Sequence, residues 1–365
     1  MLKKYFFALV FLLAACSYPA ATAQEEFLTQ LESTTPQERE NPTNNLDLLQ
    51  PFENNLVSGW NHILRIDELG ELSIWQNTQP HEPIFTHIMS NVSMAAAHVN
   101  ISAAIQRDGT LWIWGDADFM YRMFGVTDYA APTKIAKNAV HVALADNSVL
   151  FVRSDGSLWG WADSSFSAFL PFFLENITLN TDFQPTLLIS ERVKYVSASY
   201  CHFMVIKEDD SLWGWGHNTE GCVGVGATPV GEDSFMYEQV LRPTFIMENV
   251  AYVLAESEGT SVITLGGELW AWGLDYLVTG TRMYSGIPVL IMEDVLITPT
   301  ANNFGFTITS GGDLIAWGWG WQPAPSPTID NPLLLAQNVL EVVGGGGFLA
   351  VRTEESLFEL IRPTQ

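Results

Sequence analysis

The amino-acid sequence predicts an all-β fold, a seven-bladed β-propeller. A motif of the form Leu-Trp-x-Trp-Gly recurs along the chain. An alternating apolar segment precedes each copy, and a turn with acidic residues or Gly-Gly lies between that segment and the motif. Repeats that cannot bury their own apolar side are typical of propeller blades. The anchor leucines recur roughly every 40 to 55 residues, at Leu72, Leu111, Leu158, Leu212, Leu269, Leu314 and Leu357.

Each repeat unit is predicted to be a series of short strands. Apolar and smaller residues alternate at 203–206 and 261–264, and a period of two indicates a strand. A pair such as Asp108-Gly109 then supplies the positive φ of a tight hairpin. Because ten of the thirteen tryptophans occupy the two Trp positions of the motif, we expect most of them in the core, stacked between neighbouring blades.

A proline precedes another apolar strand in most units. Proline fits the start of an edge strand, because its missing N–H leaves no ladder hydrogen bond unmade there. Together with the three other predicted strands, this gives a four-stranded blade. The prolines are Pro83, Pro132, Pro185, Pro243, Pro288 and Pro332.

The fourth unit, at 196–226, resembles the repeat of the regulator of chromosome condensation (RCC1) family. Small residues end in His202, Leu-Trp-Gly-Trp-Gly follows at 212–216, and 218–226 is similar to the Gly-rich loop of the family. The resemblance covers roughly 56–360 and implies an RCC1-like propeller that binds rather than catalyses. The repeat histidine is kept at His62 and His202, and we expect both to be structural.

The N-terminus has the features of an export signal. Lys3 and Lys4 precede an apolar segment, 5–15, that is too short to span a bilayer. Leu-Ala-Ala before Cys16 resembles a bacterial lipobox, so we expect lipid on Cys16 and a protein exported to the outer face of the membrane. Ordinary cleavage after 21–23 and secretion is the alternative.

The predicted domain organisation has three parts. Residues 1–15 form the signal peptide, and the polar segment 16–45 forms a flexible tether. Residues 46–365 form the propeller, and we expect the apolar segment 46–52 to pair into the last blade and close the ring.

Charge restricts the partners. The chain has 16 Lys and Arg against 41 Asp and Glu, a net charge of −25. Such a surface repels nucleic-acid phosphates and suits a basic partner. We expect no nucleic-acid binding, membrane contact only through the N-terminal lipid, and a monomer. Cys201 and Cys222 can pair in an exported chain, and the sequence leaves this open.

Catalytic and metal-binding motifs are absent from the sequence. Gly344-Gly345-Gly346-Gly347 lacks the Gly-Lys-Ser/Thr of a phosphate-binding loop, and His81-Glu82 lacks the second His of a zincin helix. We therefore expect no catalytic residue, no metal and no cofactor, and a protein that is not an enzyme.

Three aromatic segments exceed the repeat and are candidate partner-binding residues, because exposed apolar patches mark interaction sites. The alternative is that these side chains pack onto the propeller. The candidates are Phe166, Phe169, Phe172, Phe173, Trp319, Trp321, Phe119 and Tyr121.

The predicted function is recognition of a protein partner by an exported, membrane-anchored propeller. One alternative is a carbohydrate-active or hydrolytic enzyme with acidic residues near the central channel, for which paired carboxylates would be needed. The family's guanine-nucleotide exchange role is a further alternative, which the export signal and the acidic charge disfavour.

Overall fold

Seven antiparallel sheets build the protein, of which six have four strands and one has three. Consecutive strands pair in chain order in every sheet, so each sheet is an up-and-down blade. The prediction of an all-β, seven-bladed propeller is confirmed. The fold is that of a computed structural model, which describes residues 56–76, 84–146, 148–162, 184–199, 202–218, 221–226, 239–256, 259–275, 283–297, 305–317, 331–345, 348–353 and 359–361.

The strands follow one another in chain order. Blades 1 to 4 contain β1 Leu56–Ser58, β2 His62–Ile66, β3 Leu72–Gln76, β4 Thr86–Met89, β5 Val92–His98, β6 Ile101–Gln106, β7 Leu111–Gly115, β8 Thr133–Ala136, β9 Ala139–Ala145, β10 Ser148–Arg153, β11 Leu158–Ala162, β12 Thr186–Ile189, β13 Val193–Ala198, β14 His202–Lys207, β15 Leu212–His217 and β16 Gln239–Met247. Blades 5 to 7 contain β17 Val250–Ala255, β18 Gly259–Thr264, β19 Leu269–Asp275, β20 Met283–Met292, β21 Val295–Ile297, β22 Gly305–Thr309, β23 Leu314–Trp317, β24 Leu333–Ala336, β25 Val339–Gly345, β26 Phe348–Thr353 and β27 Glu359–Ile361.

A single helix, α1 Ala117–Phe124, lies between β7 and β8 in the described ranges. No helix of this part of the chain has the length and apolar character that crossing a membrane requires.

Tight turns join the second and third strands of the blades. In blade 2, Gly109 has a φ of 79°, and the Asp108 carboxylate accepts the N–H of Thr110 at 2.9 Å. In blade 3, Gly156 has a φ of 77°, and Asp155 accepts the N–H of Ser157 in the same way. The Asp-Gly pairs therefore act as predicted, with Gly supplying the positive φ.

A repeated backbone hydrogen bond joins each blade to the next. The residue before the first strand of a blade has positive φ in the six described links, and in four of them, as at Asn91 and Asn249, it is Asn, which tolerates this conformation better than most residues. The following residue then donates its N–H to the preceding blade's turn, as Val92 does to the carbonyl oxygen of Gly70 at 2.9 Å.

The fourth strand lies at the outer edge of its blade. Pro132, Pro185 and Pro332 directly precede such strands, whereas Pro243 and Pro288 lie inside β16 and β20. An edge strand tolerates either position, because one side of it has no strand partner. Pro83 lies outside the described residues.

The two tryptophans of the motif have different environments. The second Trp is buried in every described blade that has one: Trp75, Trp114, Trp161, Trp215, Trp272 and Trp317. The first Trp is only partly buried, as at Trp159, where Arg153 lies 4.0 Å above the ring. The expectation of a tryptophan core is confirmed for the second position.

Packing between the first and last blades closes the ring. Ile63 and Trp75 of blade 1 form one buried cluster with Val343 of blade 7. The Ser58 hydroxyl donates a hydrogen bond to the Gly344 carbonyl oxygen, again between these blades. The predicted closing strand at 46–52 lies outside the described residues, as do the signal peptide and the tether.

Candidate functional site

The up-and-down order of the strands gives the propeller two distinct faces. The connections from first to second strand and from third to fourth strand lie at one end of each blade, which we call the loop face. The tight turns and the links between blades lie at the other end, which we call the turn face. Hydrogen bonds join neighbouring blades at both faces, for example Trp60 N–H to the Val99 carbonyl at the loop face, at 2.8 Å.

All three predicted binding segments connect the third strand of a blade to its fourth strand. The strands on either side of each segment therefore end or begin at the loop face. One joins β11 to β12, one joins β23 to β24, and one joins β7 to β8. The candidates Phe166, Phe169, Phe172, Phe173, Trp319 and Trp321 lie outside the described residues and stay predictions.

The third segment contains helix α1, Ala117–Phe124. The Asp116 carboxylate accepts the N–H of Phe119 at 2.9 Å and caps the helix, and Gly125 ends it in the left-handed conformation. Phe119 is only 2% exposed and belongs to the apolar cluster of blades 2 and 3. The prediction that Phe119 contacts a partner is therefore wrong, because the helix turns its apolar side toward the blades. Tyr121 is 63% exposed and stays a candidate.

Two further aromatic residues of the loop face are exposed. Trp60, in the turn between β1 and β2, is 52% exposed, and Tyr129, between α1 and β8, is 47% exposed. Neither is among the residues predicted from sequence. Trp60 is not one of the ten tryptophans that occupy the Trp positions of the repeat motif. This difference is the sequence feature that could have identified it as a candidate binding residue.

Buried histidines tie blades together beneath the loop face. Nε2 of His62 lies 2.8 Å from the Ser102 hydroxyl of the next blade, and Nε2 of His202 lies 2.8 Å from the Thr260 hydroxyl. Burial lowers the pKa of His62 to about 4 and that of His202 to about 3. Both imidazoles are neutral at pH 7, which fits the structural role predicted for them.

One carboxyl group near the loop face has an unusual pKa. Glu256 directly follows β17, and burial raises the pKa of its carboxyl group to about 8. A raised pKa is a property of general acids, but a glycosidase needs a second carboxylate beside the first. The nearby Glu258 lies outside the described residues.

The described residues contain no group of three or more His, Cys, Asp or Glu side chains that is arranged to hold a metal ion. Cys222 is buried, with its Sγ 3.0 Å from the carbonyl oxygen of His217. Cys201 lies outside the described residues, so its pairing with Cys222 stays open.

Sequence comparison identifies an RCC1 repeat in the chain. Residues 193–222 match the family model for the regulator of chromosome condensation (RCC1) repeat. Protein RCC1 of Candida albicans is 24% identical over 187 residues, which are 43% of this chain and 40% of that protein. The chain thus matches well under half of the length of this curated relative.

Structure comparison shows the same fold in known propellers. Prp20p of Saccharomyces cerevisiae, whose structure was described with its binding to Gsp1p and histones, has a TM-score of 0.66 and 17% identity. The similarity covers 82% of this chain and 83% of Prp20p. Human WBSCR16 has a TM-score of 0.63 and 13% identity, covering 82% of this chain and 86% of that protein. The resemblance to RCC1-type propellers is therefore confirmed for the repeat and the fold.

Proposed function

We propose that the protein is an exported, membrane-anchored binding module that recognises a protein partner with the aromatic side chains of its loop face. The observation that carries this proposal is the exposure of Trp60, Tyr121 and Tyr129 on one face of a propeller whose second motif tryptophans are all buried where described. Large aromatic residues are enriched at the energetic centres of protein interfaces.

Several charged side chains of the turn face have a structural role. Arg192 lies 3.7 Å from Asp209 and 3.9 Å from Glu208, and Lys194 pairs with Asp210. These groups form part of the links between blades. The exposed aromatic side chains favour the loop face as the surface for a partner, and a known RCC1-type propeller, Prp20p, is a binder of proteins.

Affinity capture tests the binding role. The full-length chain, carrying a C-terminal affinity tag, is expressed in its own host, cross-linked and captured, and the co-purifying proteins are identified. We expect the triple variant W60A/Y121A/Y129A to lose the main captured protein. The matched control L69A/F245A/I287A also removes three exposed apolar side chains, but outside the loop-face connections. Equal capture by the wild type and both variants would contradict the proposal.

Export and anchoring rest on the N-terminal sequence. Lys3, Lys4 and the apolar segment 5–15 support a signal peptide, and Cys16 supplies the lipid-accepting thiol. The test is mass spectrometry of the mature N-terminus. A lipid-modified Cys16 is the expected result, and C16S is expected to release the protein from the membrane fraction. An N-terminus at Gln24 indicates secretion without an anchor, and retention of Met1 refutes export by a cleaved signal.

Hydrolysis is the second candidate function, and the raised pKa of Glu256 favours it. A panel of glycoside and ester substrates tests this alternative, with E256Q as the control. Turnover that E256Q abolishes would establish it. No turnover, or turnover that is equal in wild type and variant, excludes Glu256 as a general acid.

A further inference from the structure

Three loop-face segments that adjoin through their backbones carry exposed side chains, which we call the rim patch: Trp60, Val99 and Tyr129, together with Asp128, which adjoins Tyr129, and Asp146, whose carboxylate contacts His98. Val99 lies in the turn between β5 and β6 and is 40% exposed. Among the described residues, the exposed aromatic side chains are Trp60, Tyr121, Tyr129 and Phe245. Three of these four lie on the loop face of blades 1 and 2.

Backbone contacts hold the three segments of the rim patch beside one another. The N–H of Trp60 donates to the carbonyl oxygen of Val99 at 2.8 Å. The next residue, Asn100, lies so close to Gly115 that a Cβ on Gly115 would meet the Asn100 oxygen at 2.1 Å. The N–H of Gly115 in turn donates to the carbonyl oxygen of Tyr129 at 2.8 Å. These contacts fix the relative positions of the three segments, so the patch is organised before any partner arrives.

Val99 holds an unfavourable backbone conformation at the centre of the rim patch. His98 pairs directly with Ile101, which leaves Val99 and Asn100 as a two-residue hairpin loop. Val99 has a φ of 46°, in a place where such loops favour Gly or Asn. Positive φ is a genuine outlier for a β-branched residue, and such outliers cluster at binding sites. A Gly there would relieve the backbone but remove the exposed apolar side chain.

The charge around the rim patch is negative. Asp128 is exposed and adjoins Tyr129, and the carboxylate of Asp146 lies 2.8 Å from His98 and is 30% exposed. In the described loop-face connections, the sole Lys or Arg is Arg122, whose guanidinium already binds Asp118 at 2.8 Å. Among the described loop-face connections, a cationic partner therefore meets no Lys or Arg that lacks a carboxylate partner.

From this combination we infer that the rim patch binds a segment of the protein partner that carries Lys or Arg side chains. This inference rests on the proposed function and adds the chemistry of the partner. The faces of Trp and Tyr rings attract ammonium and guanidinium groups, and Trp is the strongest of the aromatic side chains in this role. Asp128 and Asp146 supply carboxylates for the same cations. An anionic segment would meet repulsion and would gain nothing from the rings.

A fluorescein-labelled peptide, Gly-Arg-Gly-Lys-Gly-Arg-Gly, serves as the probe, and its anisotropy is measured with the full chain. We expect W60A to weaken binding about tenfold, equivalent to about 1.4 kcal/mol, with W60F keeping part of the affinity. D128N is expected to weaken binding about threefold. The matched controls are F245A, an exposed aromatic residue of β16, and E68Q, an exposed acid of the turn face, and both are expected to bind as the wild type.

The controls separate a specific site from general attraction to an acidic protein. No binding by the wild type, equal weakening by W60A and F245A, or no effect of W60A would each overturn the inference. If the peptide test fails while the triple variant still loses its captured protein, the proposed function stands and only the cationic chemistry is refuted. If both tests fail, both proposals are refuted.

Discussion

Replacing His202 by Phe is expected to have opposite effects on stability at pH 7 and at pH 5. The Thr260 hydroxyl donates its hydrogen to the Cys222 carbonyl oxygen at 2.7 Å, so it accepts a hydrogen bond from Nε2 of His202. Phenylalanine has a similar shape and removes this bond, but Thr260 keeps its bond to Cys222. The variant loses one neutral hydrogen bond, which lowers the free energy of unfolding by about 1 kcal/mol at pH 7.

The effect of pH follows from the buried imidazole. Burial lowers the pKa of His202 from 6.5 in the unfolded chain to about 3 in the folded protein. Between these values only the unfolded chain binds the proton, so stability is lost as the pH falls from 6.5 toward 3. At pH 5 the loss of unfolding free energy is about 2 kcal/mol, because pH 5 lies 1.5 units below 6.5 and each unit is equivalent to about 1.4 kcal/mol. His202→Phe escapes this penalty and is expected to be about 1 kcal/mol more stable than the wild type at pH 5.

Urea unfolding, followed by tryptophan fluorescence at pH 7 and pH 5, measures both differences. Thr260→Val is the control, since it breaks the same hydrogen bond, together with the one to Cys222, and keeps the imidazole. It is expected to be less stable than the wild type at both pH values. A difference between His202→Phe and the wild type that is the same at pH 7 and pH 5 would refute the reasoning.

Two further substitutions test the close backbone contact at Gly115 and the buried carboxyl group of Glu256. Gly115→Ala is expected to lower the free energy of unfolding by about 3 kcal/mol, because φ is 131° and a Cβ would lie 2.1 Å from the Asn100 oxygen. Its control, Gly266→Ala, has no contact nearer than 3.6 Å and is expected to stay within about 1 kcal/mol of the wild type in urea unfolding. Because the pKa of Glu256 is raised to about 8, its stability contribution is lost as pH rises from 4.5 toward 8. Glu256→Gln is therefore expected to have a free energy of unfolding about 3 kcal/mol higher than the wild type at pH 7, 2.5 units above 4.5, and an equal one near pH 4; an equal midpoint at pH 7 would contradict this.

The fold was predictable from sequence because the same physical pattern is repeated. The alternating runs at 203–206 and 261–264 lie within β14, His202–Lys207, and β18, Gly259–Thr264. One such run is ambiguous, since a short apolar segment also fits a buried helix. Seven copies with the same turn and the same anchor Leu leave one arrangement that covers every apolar side.

The binding residues were less predictable, because composition does not tell which side of a segment is buried. Phe119 and Tyr121 are two residues apart in an aromatic segment, and the sequence treats them alike. Helix α1, Ala117–Phe124, places Phe119 in the core and Tyr121 in solvent, because residues two apart in a helix do not share a face. The short helix between two strands of a repeat carries no repeat signal, so its periodicity was missed.

The exposure of Trp60 shows why the two faces differ in predictability. At the turn face, every described link between blades uses a tight turn and a backbone hydrogen bond, such as Val92 N–H to the Gly70 carbonyl oxygen. These constraints favour Gly, Asn and Asp at fixed positions, although Arg192 holds one of them, and the sequence displays this preference. At the loop face, the connections differ in length from blade to blade, and α1 occupies one of them. Where the repeat does not constrain a residue, its role depends on the residues that lie near it in space, and the sequence does not show these. For Trp60 such a residue is Val99 of the next blade.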